Sequence, residues 1–97
     1  MAEYGTPFVD LSGQVTAGGT AQTFAPADPS RRYLRICAPA ANGESLWLND
    51  KGKPAAVGGA ASFELTPGSK WVWFPTPTTA VSVVSATTGT RFEGAAG

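Results

Sequence analysis

The chain has 97 residues, with 7 basic and 7 acidic side chains, no histidine and a single cysteine, Cys37. That is enough for one domain and not two. Zero formal charge argues against a nonspecific DNA or RNA binder, which needs a basic field to reach phosphate, and one cysteine without histidine can build neither a Cys/His zinc site nor an intramolecular disulfide.

Charged residues reach only 14% against 16 Ala, 12 Gly and 8 Pro, a composition that disfavours long charged helices. No apolar stretch approaches the roughly 20 residues that span a bilayer. The start, MAEYGTPFVD, lacks the charged segment and apolar run of a secretory signal. The expectation is a soluble protein that uses no membrane, nucleic acid or cofactor.

Short alternating apolar runs, separated by Gly, Pro and Asn every ten to fifteen residues, predict an all-β sandwich of jelly-roll type with seven or eight antiparallel strands. Residues 1–19 mix Gly5, Pro7, Gly13, Gly18 and Gly19 with one short run, Phe8 to Leu11, and read as an N-terminal arm or edge strand. The sandwich proper is expected over 20–93. Thr20 to Ala25 is its first strand, ended by the Pro26 to Ser30 turn, where two prolines fix φ and Asp28 can bond local backbone.

Arg31 to Ala38 is the clearest strand, with Leu34 and Ile36 on one face and Arg31, Tyr33, Arg35 and Cys37 on the other. Arg32 then starts the inner row. Asn42-Gly43 signals a turn, and Glu44 to Asn49 returns with Leu46 and Leu48 facing one way and Trp47 the other, so the two strands are expected to pair. Asp50 to Pro54 is a turn and Ala55 to Ala61 a small-residue connection.

Ser62 to Thr66 presents Phe63 and Leu65 on one side, and Pro67-Gly68 suits the central pair of a type II turn. Lys70 to Phe74 carries Trp71 and Trp73 on one face, Val72 and Phe74 on the other. Pro75-Thr76-Pro77 stops it. Ala80 to Ala86 is the most β-branched strand, Thr88-Gly89 turns into a last strand, Thr90 to Glu93, and residues 94–97 read as a tail. The expected core is Leu34, Ile36, Leu46, Leu48, Phe63, Leu65, Val72, Phe74, Val81 and Val83, with Val84 replacing Val83 if a bulge shifts register.

No catalytic set emerges. Nucleophilic catalysis would need a Ser or Cys beside a base, and without histidine only scattered carboxylates and three lysines remain. Asp10, Asp28, Glu44, Asp50, Glu64 and Glu93 fall at turns or strand ends, where solvated acids are the ordinary reading. Cys37 reads as a buried, inert thiol, and the Gly pairs as loop punctuation outside any strand–loop–helix context. No enzyme activity and no metal is expected.

The three tryptophans matter more. Aromatic faces stack on sugars, but they also fill cores and subunit interfaces. Apolar residues on both faces of Lys70 to Phe74, and less strongly of Tyr33 to Cys37 and Leu46 to Leu48, predict that another chain covers one face, since a lone sandwich wets its outer faces.

The segments Asp28 to Ile36, Leu46 to Asn49, Phe63 to Gly68 and Pro77 to Phe92 carry four patterns: P-x-R-x-x-L-x-I, W-x-N, L-x-P-G and VSV-x-x-A-T-T-G. In this order they resemble a group of small all-β proteins of tailed bacteriophages, over roughly residues 26–93. The resemblance implies a virion component, a capsid decoration (cement) protein or the base of a head fibre, on the capsid surface and made in the host cytoplasm. Its partners would be further copies of itself, as a trimer or on a lattice, and the major capsid protein. The contacts are expected from the arm, through Tyr4, Phe8, Val9 and Leu11, and from Arg31, Tyr33, Arg35, Trp47, Trp71 and Trp73. A glycan- or receptor-binding module on a tail or fibre is the alternative.

Overall fold

Nine strands and no helix form among residues 8–97, the part of the chain that the computed structural model describes. They are β1 (Val9–Asp10), β2 (Gly13–Gln14), β3 (Gln22–Ala25), β4 (Leu34–Cys37), β5 (Leu46–Asn49), β6 (Phe63–Leu65), β7 (Lys70–Val72), β8 (Val81–Val84) and β9 (Arg91–Ala96). One antiparallel sheet runs β1-β9-β4-β7, with β2 also on β9, and a second runs β3-β8-β5-β6. The chain is thus an all-β protein of two sheets, as its alternation predicts.

Period-two patterning assigns the inner faces. Leu34 and Ile36 of β4, Leu46 and Leu48 of β5, and Val81 and Val83 of β8 are fully buried, Leu65 nearly so, and Phe63 packs at the margin of the same cluster. Val84, on the opposite face from Val83, is buried as well. The Pro67-Gly68 turn forms as expected: Ser69 N donates to Thr66 O at 3.0 Å and Gly68 takes φ +88°.

Four expectations are corrected. β4 and β5 do not pair; they lie in opposite sheets, and Asn42 between them bonds β9 instead, its Nδ2 donating to Arg91 O at 2.8 Å and its Oδ1 accepting from Arg91 N at 3.1 Å. The Asn42-Gly43 signal therefore marks a crossing between sheets rather than a hairpin.

Residues 94–97 are not a loose tail. Gly94, Ala95 and Ala96 continue β9, which lies between β1 and β4 with Ile36 opposite Gly94 and Leu34 opposite Ala96. Small side chains belong there because the opposing sheet fills the space: a Cβ on Gly94 would overlap Cε1 and Cζ of Phe24 and come within 3.1 Å of Arg35 O.

The arm, too, is partly core. Leu11, Gly13 and Val15 alternate inward, with Val15 fully buried and the Phe92 ring lying where a Gly13 Cβ would reach it at 3.1 Å. Finally, Trp73 replaces Val72 and Phe74 in the core: Trp73 is 6% exposed, Val72 48% and Phe74 98%. Both faces of this segment are apolar, so periodicity could not choose between them.

The 50–62 connection folds back on the outer face of the second sheet. Ser82 Oγ accepts from Ala55 N at 2.6 Å and donates to Lys53 O at 2.8 Å, while Asn49 accepts from Lys51 N at 2.8 Å and donates to Ala61 O at 3.2 Å. Ala55 of this loop is itself buried. Around Asn49 and Ser82 the chain covers its own sheet without a partner.

Replacing Gly94 by Ala is expected to cost about 1–3 kcal/mol by overpacking. Gly43, with φ in the ordinary range and open space around it, is the control, and Gly43→Ala should stay within about 0.5 kcal/mol of the parent. Urea denaturation of the two variants checks the contrast.

Candidate interaction surface

The register of the five-stranded sheet places Arg35 beside Val72 on one side and Ala95 on the other, and Ala95 beside Asp10. These four residues share the outer face, because Leu34 and Ile36 point inward. Tyr33 begins the next row. Its N–H donates to Gly97 O at 2.9 Å and its carbonyl accepts from Gly97 N at 3.0 Å. Beyond Gly97 the Phe8 ring stacks on Tyr33, with centroids 5.0 Å apart at 23°.

A Cβ on Gly97 would strike the Phe8 ring at 2.6 Å, so the stack depends on a glycine there. The arm is consequently seated on its own chain from Phe8 onward, with Leu11 N also donating to Gly94 O at 2.9 Å. Phe8, Val9 and Leu11, expected as contact residues, are thus held beside β9 by their own chain. Tyr4 lies outside the described residues.

Phe8 remains 66% exposed and Val9 57% despite these contacts. Val9 lies at the sheet edge in the row of Ala96 and Leu34, whereas Phe8, with Val72, Phe74 and half-buried Tyr33, leaves apolar surface on and beside this outer face. A shallow groove of about 390 Å³ crosses it, with Gly94 and Ala95 among its lining, Phe8, Val9, Asp10 and Ser12 contributed by the arm, and Arg35, Arg91 and Glu93 supplying charge.

Other expected contact residues sit elsewhere. Arg31 is 6% exposed and precedes the strand instead of lying in it. Its guanidinium donates to Pro26 O (2.8 Å), twice to Pro77 O (3.0 and 2.8 Å) and to Thr79 O (2.8 Å). It ties the turn before β4 to the segment before β8, which the Pro-rich sequence there leaves without ladder partners. Burial pulls its pKa down, and nearby Asp28 partly offsets this. Arg32, expected to start the inner row, is exposed.

Trp73 is buried with its polar edge satisfied, Nε1 donating to Asp50 Oδ2 at 2.8 Å. Burial pushes the Asp50 carboxyl up, but bonds from Lys51 and Trp73 outweigh it and hold the group below the usual carboxylate range. Trp71 is 46% exposed and rests against Phe63, centroids 5.4 Å apart. Trp47 is half-buried on the outer face of the second sheet, opposite Glu64, whose carboxylate accepts from Ser45 Oγ at 2.6 Å. Tryptophan thus serves three roles here: core, edge and polar surface.

Val72 and Phe74 are the surface residues that the sequence reading placed inside. No local signal separates them from Trp73, because both faces of the segment are apolar. No group of three or more Cys, Asp and Glu side chains gathers for a metal ion among the described residues. Compared with protein-family models, curated proteins and solved structures, the chain matches none.

Two outcomes follow for the buried polar groups. Arg31→Lys should lose about 2 kcal/mol, since an ammonium cannot reach three separated carbonyls and gives up charge-assisted bonds of a buried guanidinium; thermal and urea unfolding measure it. For Asp50, the folded-state pKa lies below the unfolded value, so its contribution is complete above that value and disappears as pH falls through the lower folded one. Asp50→Asn should therefore flatten the acid limb of stability below about pH 4, read by Trp emission during urea unfolding at each pH.

Proposed function

We propose that the chain is a non-enzymatic structural component of a bacteriophage virion, in its most specific form a decoration or cement protein on the head shell. The observation that carries this reading is the apolar surface beside a well-packed core, with Phe74 98% exposed and Phe8 66%. A large side chain held open to water at the end of a strand is a candidate anchor for a protein partner. The four sequence patterns of residues 29–89 supply the link to phage virions.

A cement protein joins neighbouring capsomers at many equivalent sites. Each contact can be weak, because repetition over the shell multiplies the effect. Trp73→Ala does not test this, since that side chain is core and its loss would leave a cavity. Phe74 and Tyr33 are the residues to change.

A second reading, a glycan-binding module, is favoured by one site: Trp47, flanked on its face by Glu64 and Ser45, has the aromatic plane and hydrogen-bonding groups that a sugar requires. The two readings separate cleanly. Under the first, Phe74→Ser with Tyr33→Ser keeps the fold by circular dichroism and lowers occupancy on stripped capsids of the encoding phage by about tenfold or more, while Trp47→Ala binds as the parent does. Wild-type occupancy by the double variant overturns it, and Trp47-dependent retention on a glycan array establishes the second.

A further inference from the structure

The edges of the two sheets differ in how they are protected. Exposed strand edges invite pairing with another chain, and bulges, charges and shortness are the usual defences. β3 has a register shift between Thr23 and Ala25. β1 and β2 are two residues each, and β6 carries Glu64 at its centre. β7 is as short as β6 and carries Lys70, but that charge sits at its end and not its centre; no bulge interrupts it, all three of its residues are exposed, and its pairing with β4 is regular throughout.

Which backbone groups of β7 are free follows from the ladder. Ala38 N donates to Ser69 O at 2.8 Å and Trp73 N to Leu34 O at 3.2 Å. In an antiparallel pair, hydrogen-bonded and non-hydrogen-bonded positions alternate. Trp71 and Trp73 therefore turn their backbone groups toward β4, as the Ser69 carbonyl does, and Lys70 and Val72 turn theirs outward. Among the described residues, nothing pairs with the N–H or C=O of either.

We propose that two copies of this chain pair antiparallel through β7, with Lys70 of each opposite Val72 of the other. This register satisfies all eight outward groups, four from each copy, in four hydrogen bonds. It is self-complementary about a two-fold axis through Trp71, so the contact closes at two copies. Trp71 then faces its own counterpart at a non-hydrogen-bonded position, where side chains approach most closely, and its half-exposed ring, already braced on Phe63, gains a second aromatic neighbour. Zero net charge leaves no long-range repulsion between copies. The pairing does not rest on the virion reading and is measured with no particle present.

Sedimentation velocity over a concentration series into the millimolar range should show a monomer–dimer equilibrium. Val72→Pro should remove it. Proline deletes only an outward N–H, leaving the bonds to β4 intact, and the parental circular dichroism should persist. Register is read by cross-linking in a Cys37→Ser background: Trp71→Cys should oxidise to a disulfide dimer about tenfold faster than Val72→Cys, whose counterpart lies beyond bridging distance. The cross-linking ratio decides the matter should Val72→Pro disturb folding. A monomer at every concentration, a trimer, a folded Val72→Pro that dimerises like the parent, or Val72→Cys cross-linking as fast as Trp71→Cys would each overturn the proposal.

Discussion

The missing side chain at Gly94 is the constraint on which the interior depends. Phe24, from the second sheet, lies against β9 at that position, edge-on to Phe92 at 5.6 Å and stacked beside Trp73 at 6.4 Å. Trp73 in turn meets Phe63 at 6.1 Å, and Phe63 meets Trp71. A continuous line of rings crosses from one side of the sandwich to the other, linking β9, β3, the end of β7 and β6. Offset and edge-on ring pairs add to the area they bury, and this line holds the sheets together without a disulfide.

Polar groups close the ends of that line. Asp50 receives the indole N–H of Trp73, and Thr79 Oγ1 donates to the Asp50 carbonyl at 3.1 Å, so one loop residue fixes the ring and the chain beside it. Arg31 does the corresponding work among prolines, whose missing N–H groups leave carbonyls with few partners. No buried side-chain nitrogen or oxygen among the described residues lacks a partner. The connection after β5 closes over part of the second sheet, while among the described residues the first sheet leaves Val72 and Phe74 exposed on its outer side. That asymmetry gives the molecule a distinct exterior on each side.

Fold class and most inner positions were legible because alternation is strong where one face is polar. In Leu34 to Cys37 the arginine at 35 leaves no doubt which way Leu34 and Ile36 point. Where both faces are apolar, as in Lys70 to Phe74, period two gives two equal answers. The deciding fact is a carboxylate at Asp50, 23 residues from Trp73 and invisible to local pattern. The strand role of Gly94-Ala95-Ala96 was hidden for a related reason: small residues look like a tail until the ring that occupies their space is known. For the exterior, the sequence showed surplus apolar residues but not which of them reach solvent.

The pairing order of β9 also governs when the protein can form during synthesis. Its partners β1 and β4 precede it by some of the longest separations in the chain, with Val9 opposite Ala96. At about 5–20 residues per second, the ribosome delivers β4 and β7 seconds before the strand that lies beside β4. The larger sheet cannot close until Ala96 has left the exit tunnel. Until then the nascent chain carries Leu34, Ile36 and Trp73 on unfinished surfaces, an interval in which holding chaperones would find their substrate.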